Sequence, residues 1–272
     1  MGFLTQARFF PRCREDVGQS VMELLCEEAK RIGLVLGKQH LAQFDLYYRE
    51  LAAWNQRFNL TTITGYEAVQ RKHFMDSLTC LLAFPAPGRE TGIANTMPVQ
   101  LDTHELSLLD VGSGAGFPGL PLKIMLPEAR VTLVESIGKK VSFLRHMIQL
   151  LNLRDVEVIQ GRAEEIARLP SHRERYDVVV ARAVAQLVVL SEYCLPFCRI
   201  GGRMIAQKGE DAQAETEHGS VAIERLGGRL VAVKAVDLSL VTARYLVVVD
   251  KVARTPDLYP RRVGVPSKRP MI

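Results

Sequence analysis

The run Ser107-Leu108-Leu109-Asp110-Val111-Gly112-Ser113-Gly114-Ala115-Gly116-Phe117-Pro118-Gly119 constrains the fold more than any other part of this 272-residue chain. Its apolar half has the composition of a strand buried on both faces, and its glycines let the backbone turn sharply and approach a ligand. Phe117 to Met125 then reads as the start of a helix. Strand, glycine turn and helix in that order belong to an open parallel α/β sheet, whose ligands sit at the carboxyl ends of the strands.

Two ligand patterns overlap in this loop. Gly114-x-Gly116-x-x-Gly119 satisfies a dinucleotide pattern, with Glu135 at a spacing that suits a ribose-binding acid. In the other frame, Asp110-x-Gly112-x-Gly114-x-Gly116 is the acid and glycine pattern of S-adenosylmethionine sites. A carboxylate at Asp110 would repel a diphosphate, but it favours the ammonium and sulfonium of S-adenosylmethionine. S-adenosylmethionine is therefore the expected cofactor. A nicotinamide-dependent oxidoreductase using the same loop is the alternative.

The length allows one sizeable α/β core plus a smaller subdomain. At 47% hydrophobic and 24% charged, the composition is that of a soluble globular protein, with no apolar run long enough to span a bilayer. The opening residues have no signal-peptide core, and Gln6 stands where myristoylation needs Ser or Thr. A cytoplasmic location and no membrane partner are expected. The five cysteines, Cys13, Cys26, Cys80, Cys194 and Cys198, form no C-x-x-C pair, so neither a disulfide framework nor a metal site is expected. Cys194 and Cys198, four apart, are expected on one helix face as buried thiols.

Net charge is only +5, but basic residues gather at the end of the chain. Lys251, Arg254, Arg261, Arg262, Lys268 and Arg269 stand there against one acid, Asp257, interleaved with prolines. Such a tail can bind phosphate backbone by charge, or can be a loosely docked terminus.

Apolar spacing is helical from about residue 21 to 84, which predicts an amino-terminal helical subdomain, after a weakly ordered extension over 1–20. Residues 85–105, rich in Pro, Gly, Thr and Asn, read as a linker, and residues 106–250 as the cofactor-binding domain. Strands are expected at 106–111, 131–135, 156–160, 176–181, 203–206, 230–236 and 245–250. Helices are expected between them, including one over 187–197. This alternation predicts a mostly parallel, Rossmann-like sheet, and the last two strands suggest an antiparallel edge hairpin. Residues 251–272 form the basic tail.

Polar residues at strand ends are the first candidates for chemistry. Glu135 ends the second strand and can accept from both ribose hydroxyls. Ala163 and Glu164, after the third, suit an adenine ring or simply begin a helix. Arg182 ends the fourth and invites a ligand carboxylate or a phosphate. Lys208 ends the fifth and invites a phosphate or a structural carboxylate. In the helical region, His73 and Asp76 are three apart and read as a pair that orients helices, with an acid/base role as the alternative. Trp54 and Phe58 read as a core stripe rather than base-stacking rings.

Taken together, these residues resemble the bacterial ribosomal RNA small subunit methyltransferase G family, also called glucose-inhibited division protein B. The resemblance rests on Trp54-Asn55, Phe58-Asn59-Leu60-Thr61, His73-Phe74, Asp76-Ser77-Leu78, Asp110 to Gly119, Leu133 to Ser136, Ala181 to Ala185 and Lys208-Gly209. It also includes Tyr259-Pro260-Arg261-Arg262-x-Gly264-x-Pro266-x-Lys268-x-Pro270. It implies a class I methyltransferase that methylates N7 of one guanine in the decoding-region loop of 16S ribosomal RNA. By position, the implied cofactor contacts are Gly112, Phe117, Ala163, Glu164 and Arg182, with Glu135 on the ribose. Asp110, Gly114 and Gly116 complete that set. Arg182, Lys208, Arg261, Arg262 and Lys268 are the RNA-binding candidates. The implied partner is 16S RNA, the small ribosomal subunit or an assembly intermediate, met by a monomer. Guanine N7 has a lone pair and no proton, so no acid/base residue is expected and positioning should dominate catalysis. An RNA-binding module that keeps the fold without turnover is a further alternative.

Overall fold

A computed structural model of the chain describes residues 21–84, 106–236 and 243–271. Expectations for the 1–20 extension, the 85–105 linker and Cys13 lie outside the described residues. The chain enters through α1 (Glu23–Arg31) and α2 (Lys38–Phe58). It continues through α3 (Tyr66–Val69), a π-helical segment (Gln70–Met75), α4 (Asp76–Leu78) and a 3-10 segment (Thr79–Ala83). The α/β part then runs β1 (Ser107–Val111), α5 (Gly119–Met125), β2 (Arg130–Glu135), α6 (Gly138–Leu150), β3 (Val156–Gln160) and α7 (Ala163–Ile166). It is completed by β4 (Tyr176–Arg182), α8 (Leu187–Cys194), β5 (Cys198–Lys208), α9 (Ala212–Arg225), β6 (Gly228–Val236), β7 (Arg244–Lys251) and α10 (Val265–Lys268).

The strands form one seven-stranded sheet in the order β3-β2-β1-β4-β5-β7-β6. β1 to β5 are parallel, and β7 runs antiparallel between β5 and β6. The late hairpin is thus present, but its second strand lies inside the sheet and its first forms the edge. Alternate residues of the central strands enter two buried layers. Leu108, Leu133, Val178, Val180, Ile205 and Val248 face the amino-terminal helices, α5 and α6. Leu109, Val134, Val179, Ala181, Met204 and Val247 face α8 and α9. Burial on both faces explains why these strands read as continuous apolar runs.

Two expectations need correction. β5 is far longer than 203–206, because Gly201 (φ +82°) and Gly202 carry the strand through a register shift beside Tyr176. A Cβ on Gly202 would come within 2.9 Å of the Asp177 carbonyl oxygen, so only glycine passes there. The helix expected over 187–197 stops at Cys194, ahead of Pro196, and Cys198 opens β5. Cys194 and Cys198 are both buried, but they do not share a helix face.

Phe44, Tyr47 and Phe74 of the helical region share a buried cluster with Phe117 and Phe143 of the α/β part. Tyr47 stacks on Phe117 at 5.3 Å, and Phe74 meets Tyr47 at 5.3 Å and Phe44 at 4.9 Å. Trp54 packs on Phe58 and Phe143 at 5.4 Å each, as the stripe predicts. The helical region is therefore built onto the sheet directly beside the glycine turn. That placement decides which strand-end side chains remain free.

Candidate active site

The turn after β1 is held by hydrogen bonds within itself and to β2. The amides of Gly112 and Ser113 both donate to Val134 O, at 2.8 and 3.1 Å, and those of Gly116 and Phe117 to Ser113 O. The Gly114 amide donates to Glu135 Oε2 at 2.9 Å. Gly112, Gly114 and Gly116 all have positive φ, the region that a side chain disfavours. The carbonyl oxygens of Gly112 and Gly114 accept no hydrogen bond among the described residues. The loop therefore offers acceptors rather than donors.

Asp110 lies beneath this loop, fully buried, and its Oδ2 accepts from the amide of Gly119, the first residue of α5, at 2.9 Å. It occupies the helix terminus where a dinucleotide would place its diphosphate. Burial pushes its carboxyl up to about 7, while the Gly119 amide and the nearby Arg182 guanidinium act in the other direction. The other oxygen, Oδ1, is buried without a partner. Asp110 was expected to face the cofactor, but the structure places it as a brace under the turn.

Glu135, at the end of β2, is nearly buried and joins two turns: Oε2 holds Gly114 and Oε1 accepts from Ile137 N at 2.8 Å. Each oxygen retains acceptor capacity, and the residue lines a cleft with Gly112, Ser136, Gly161, Ala163 and Glu164. Val184 and Tyr193 complete its walls. Neither was singled out from the sequence, since a valine in a loop and a tyrosine inside an apolar helix carry no motif. Val184 reaches the cleft because Ala183 adopts a left-handed conformation (φ +55°), a strained state for a residue with a Cβ. Val184 then packs so closely on Gly112 that a Cβ there would meet its Cγ2 at 2.8 Å.

The other strand-end candidates are engaged within the protein. Phe117 turns its ring away from the cleft, between Tyr47 and His73, the latter stacked at 4.4 Å. Arg182 lies over the same ring at 5.1 Å and donates to Lys72 O at 2.9 Å and Asp76 Oδ2 at 3.0 Å. In place of the expected ligand carboxylate or phosphate it meets Asp76, a carboxylate 1% exposed that needs a counterion. Arg182 Nη2 also meets His73 Nδ1 at 3.0 Å. A guanidinium can only donate, so Nδ1 accepts and Nε2 carries the proton, which it offers to Thr61 Oγ1 at 2.9 Å. Burial first, then Arg182, lowers the His73 pKa to about 3, which keeps the ring neutral. Asn55 completes the chain by accepting from Thr61 N at 2.8 Å. His73 and Asp76 thus orient structural elements, through an arginine that helical spacing could not reveal.

Lys208 shows its structural reading: Nζ bonds Ala185 O and Glu215 Oε2, both at 2.6 Å. Its neighbour Gln207 donates to Asp76 O, adding a second tie between the sheet and the same helical segment. The tail is docked rather than loose. Arg261 grips the buried Glu192 with Nε and Nη2, at 3.0 and 2.7 Å, and its backbone amide joins at 2.7 Å. Lys251 is buried with its ammonium on Leu195 O, Leu226 O and Thr255 Oγ1, and beside Glu174. Gly264 N donates to Glu164 Oε1 at 3.0 Å, so the tail also seats against the cleft wall. Of the RNA-binding candidates only Arg262 and Lys268 project to solvent, while Arg182, Lys208 and Arg261 are paired.

The donor set fits the expected cofactor. A sulfonium ligand with an ammonium needs carbonyl and carboxylate acceptors, which Gly112, Gly114 and Glu135 offer, whereas a diphosphate needs free amides, and those of Gly112, Ser113, Gly114, Gly116 and Phe117 already donate within the protein. No group of side chains suited to a metal ion occurs among the described residues. No described helix is long and apolar enough to cross a membrane.

A family model described as "GidB: rRNA small subunit methyltransferase G" matches residues 40–241. A Roseiflexus sp. (strain RS-1) protein named "Ribosomal RNA small subunit methyltransferase G" is 52% identical over 251 residues, covering 92% of this chain and 100% of the relative. A Pelotomaculum thermopropionicum protein of the same name is 47% identical, covering 92% of this chain and 98% of the relative. Among solved structures, M. jannaschii TYW2 in complex with AdoMet aligns with a TM-score of 0.44 at 18% identity, over 54% of this chain and 68% of that one.

Proposed function

Because the chain belongs to the ribosomal RNA small subunit methyltransferase G family, we propose that it transfers a methyl group from S-adenosylmethionine to N7 of a guanine in the decoding-region loop of 16S ribosomal RNA. The observation that carries the chemistry is the loop after β1, with the amides of Gly112, Ser113, Gly114, Gly116 and Phe117 committed within the protein and the carbonyls of Gly112 and Gly114 free among the described residues. That pattern favours a cationic ligand and disfavours the nicotinamide alternative. Bound there, S-adenosylmethionine supplies an electrophilic methyl group on sulfur.

The chain's own residues would bind and orient. Gly112 and Gly114 would receive the ammonium, Glu135 the ribose hydroxyls, and the small walls at Gly161 and Ala163 an adenine ring. No side chain has to move a proton, since guanine N7 attacks with its lone pair. A cysteine nucleophile, as cytosine C5 methylation requires, has no counterpart in the cleft among the described residues: Cys26, Cys80, Cys194 and Cys198 all lie outside it. Asp110, Arg182, His73 and Tyr47 act as positioning residues that keep the turn rigid, which is the contribution a positioning mechanism needs.

The test is labelled S-adenosylmethionine with 16S RNA, or with small subunits from cells lacking the activity, followed by cleavage at N7-methylated guanine. One cleavage in the decoding loop supports donor, atom and substrate together. Label at another base overturns the site specificity, and donor binding without transfer to either substrate overturns the enzymatic reading. The same experiment distinguishes free RNA from the assembled subunit as substrate.

A further inference from the structure

The basic residues of this chain fall into two classes that composition could not separate. Arg182, Lys208, Arg261, Arg203 and Lys251 are held by carboxylates inside the fold. Lys139, Lys140, Arg162, Arg262 and Lys268 pair with no carboxylate among the described residues. These five sit on three separate segments of the sequence that border the cleft.

Arg162 lines the cleft and is exposed. Lys139 and Lys140 stand in the first turn of α6, directly after cleft-lining Ser136, and α6 begins against the end of β3. A Cβ on Gly138 would lie 3.4 Å from Gln160 Nε2, two residues before Arg162. Arg262 and Lys268 flank Gly264, whose amide is tied to cleft-lining Glu164. The acids in this arc do not cancel the charge. Glu135 and Glu164 are both nearly buried and accept backbone hydrogen bonds, which leaves Glu165 as the exposed carboxylate there.

We propose that Lys139, Lys140, Arg162, Arg262 and Lys268 form a phosphate-binding rim that seats the sugar-phosphate backbone of single-stranded RNA flanking the target base, an inference that rests on the RNA methyltransferase reading. Cations without internal partners keep their full charge for an external anion. An arc at the mouth holds a strand beside the methyl donor without reading its bases. Arg261, though in the same tail, serves to dock the segment that carries Arg262 and Lys268.

The test is the salt dependence of binding of the full-length protein to a 16S RNA fragment that contains the decoding loop, followed by fluorescence anisotropy between about 50 and about 200 mM KCl. Each lost phosphate contact should lower the log–log slope by about 0.7 for a single strand, so Lys139→Gln, Lys140→Gln, Arg262→Gln and Lys268→Gln combined should lower it by about three. Arg162→Gln should extend the loss. Arg130→Gln with Arg225→Gln, exposed cations without carboxylate partners at other places on the fold, should leave the slope at its wild-type value. A fourfold variant with the wild-type melting temperature and an unchanged slope overturns the rim. Equal losses in the control pair overturn it as well, because binding would then follow net charge. Methyl transfer to RNA by wild-type protein alongside an unchanged variant slope would sink the rim and leave the proposed reaction standing. Rim-dependent binding without any transfer would do the reverse.

Discussion

The Tyr47 hydroxyl donates a 2.5 Å hydrogen bond to the carbonyl oxygen of Ala115, so a residue in the middle of α2 holds the glycine turn of a strand 60 positions further along the chain. The ring stacks on Phe117, and a Cβ on Gly116 would lie 2.3 Å from the hydroxyl oxygen. Burial raises the Tyr47 pKa well above 10, so the hydroxyl remains a donor. The helical region thus takes part in shaping the site that the α/β sheet carries.

Tyr47→Phe keeps the ring and removes only this bond. A buried carbonyl that loses its donor costs about 1–3 kcal/mol. The variant should bind S-adenosylmethionine about tenfold more weakly by calorimetry while melting only a few degrees lower. Unchanged affinity in a folded variant would show that the loop holds its shape without the tyrosine.

Arg182 and Asp76 should behave as a buried pair. Removing one partner of such a pair costs about 3–5 kcal/mol, because the other is left charged and desolvated. Arg244 Nε, 3.4 Å from Asp76 Oδ1, lacks the geometry to replace the lost bonds. Arg182→Ala should therefore unfold at much lower urea concentration, and Arg182→Ala with Asp76→Asn should recover part of the loss. Strict additivity of the two changes would argue that the pair contributes nothing.

Two buried groups set opposite pH trends. Asp110 titrates near 7 in the folded protein against 3.8 in the unfolded chain, so its share of stability is complete at low pH and falls as pH rises through that window. His73, near 3 against 6.5, contributes stability above 6.5 that is lost on acidification. Asp110→Asn imitates the neutral acid. Its stability relative to wild type should therefore rise between about pH 4 and about pH 7, as read from urea midpoints. A difference independent of pH would place the Asp110 carboxyl at its ordinary value.

Arg261→Gln should release the tail. Glu192, whose side chain is 0% exposed, would lose a guanidinium that contacts both of its oxygens, at a cost of about 3–5 kcal/mol. Limited proteolysis with trypsin should cut after Arg262 or Lys268 far faster than in wild type, with a lower melting temperature. If the residue's main role were contact with RNA, the variant would instead melt normally and lose only salt-dependent RNA binding.

The sheet was largely legible in the chain. Val156–Gln160 and Arg130–Glu135 emerge as strands because they are short, β-rich runs bounded by turn or helix signals. β5 was not legible in full, since the Gly201-Gly202 passage reads as a turn until Tyr176 pairs with Cys198 beyond it. For the site, Glu135 and the glycines are local features of one strand-turn unit and could be located from their spacing. Tyr193 and Val184 could not, because their place on the cleft depends on how α8 packs and on the left-handed turn at Ala183.

What the sequence determined by itself was the class of fold, the glycine turn that borders the cleft and the family, because each rests on residues close together in the chain whose backbone preferences are local. Tertiary structure alone decided which charges remain free. Arg182, Lys208 and Arg261 look as available as Arg262 and Lys268 until the fold brings Asp76, Glu215 and Glu192 against them, from 106, 7 and 69 residues away. A buried carboxylate takes its counterion from whichever part of the chain packing places beside it, and local sequence carries no record of that choice.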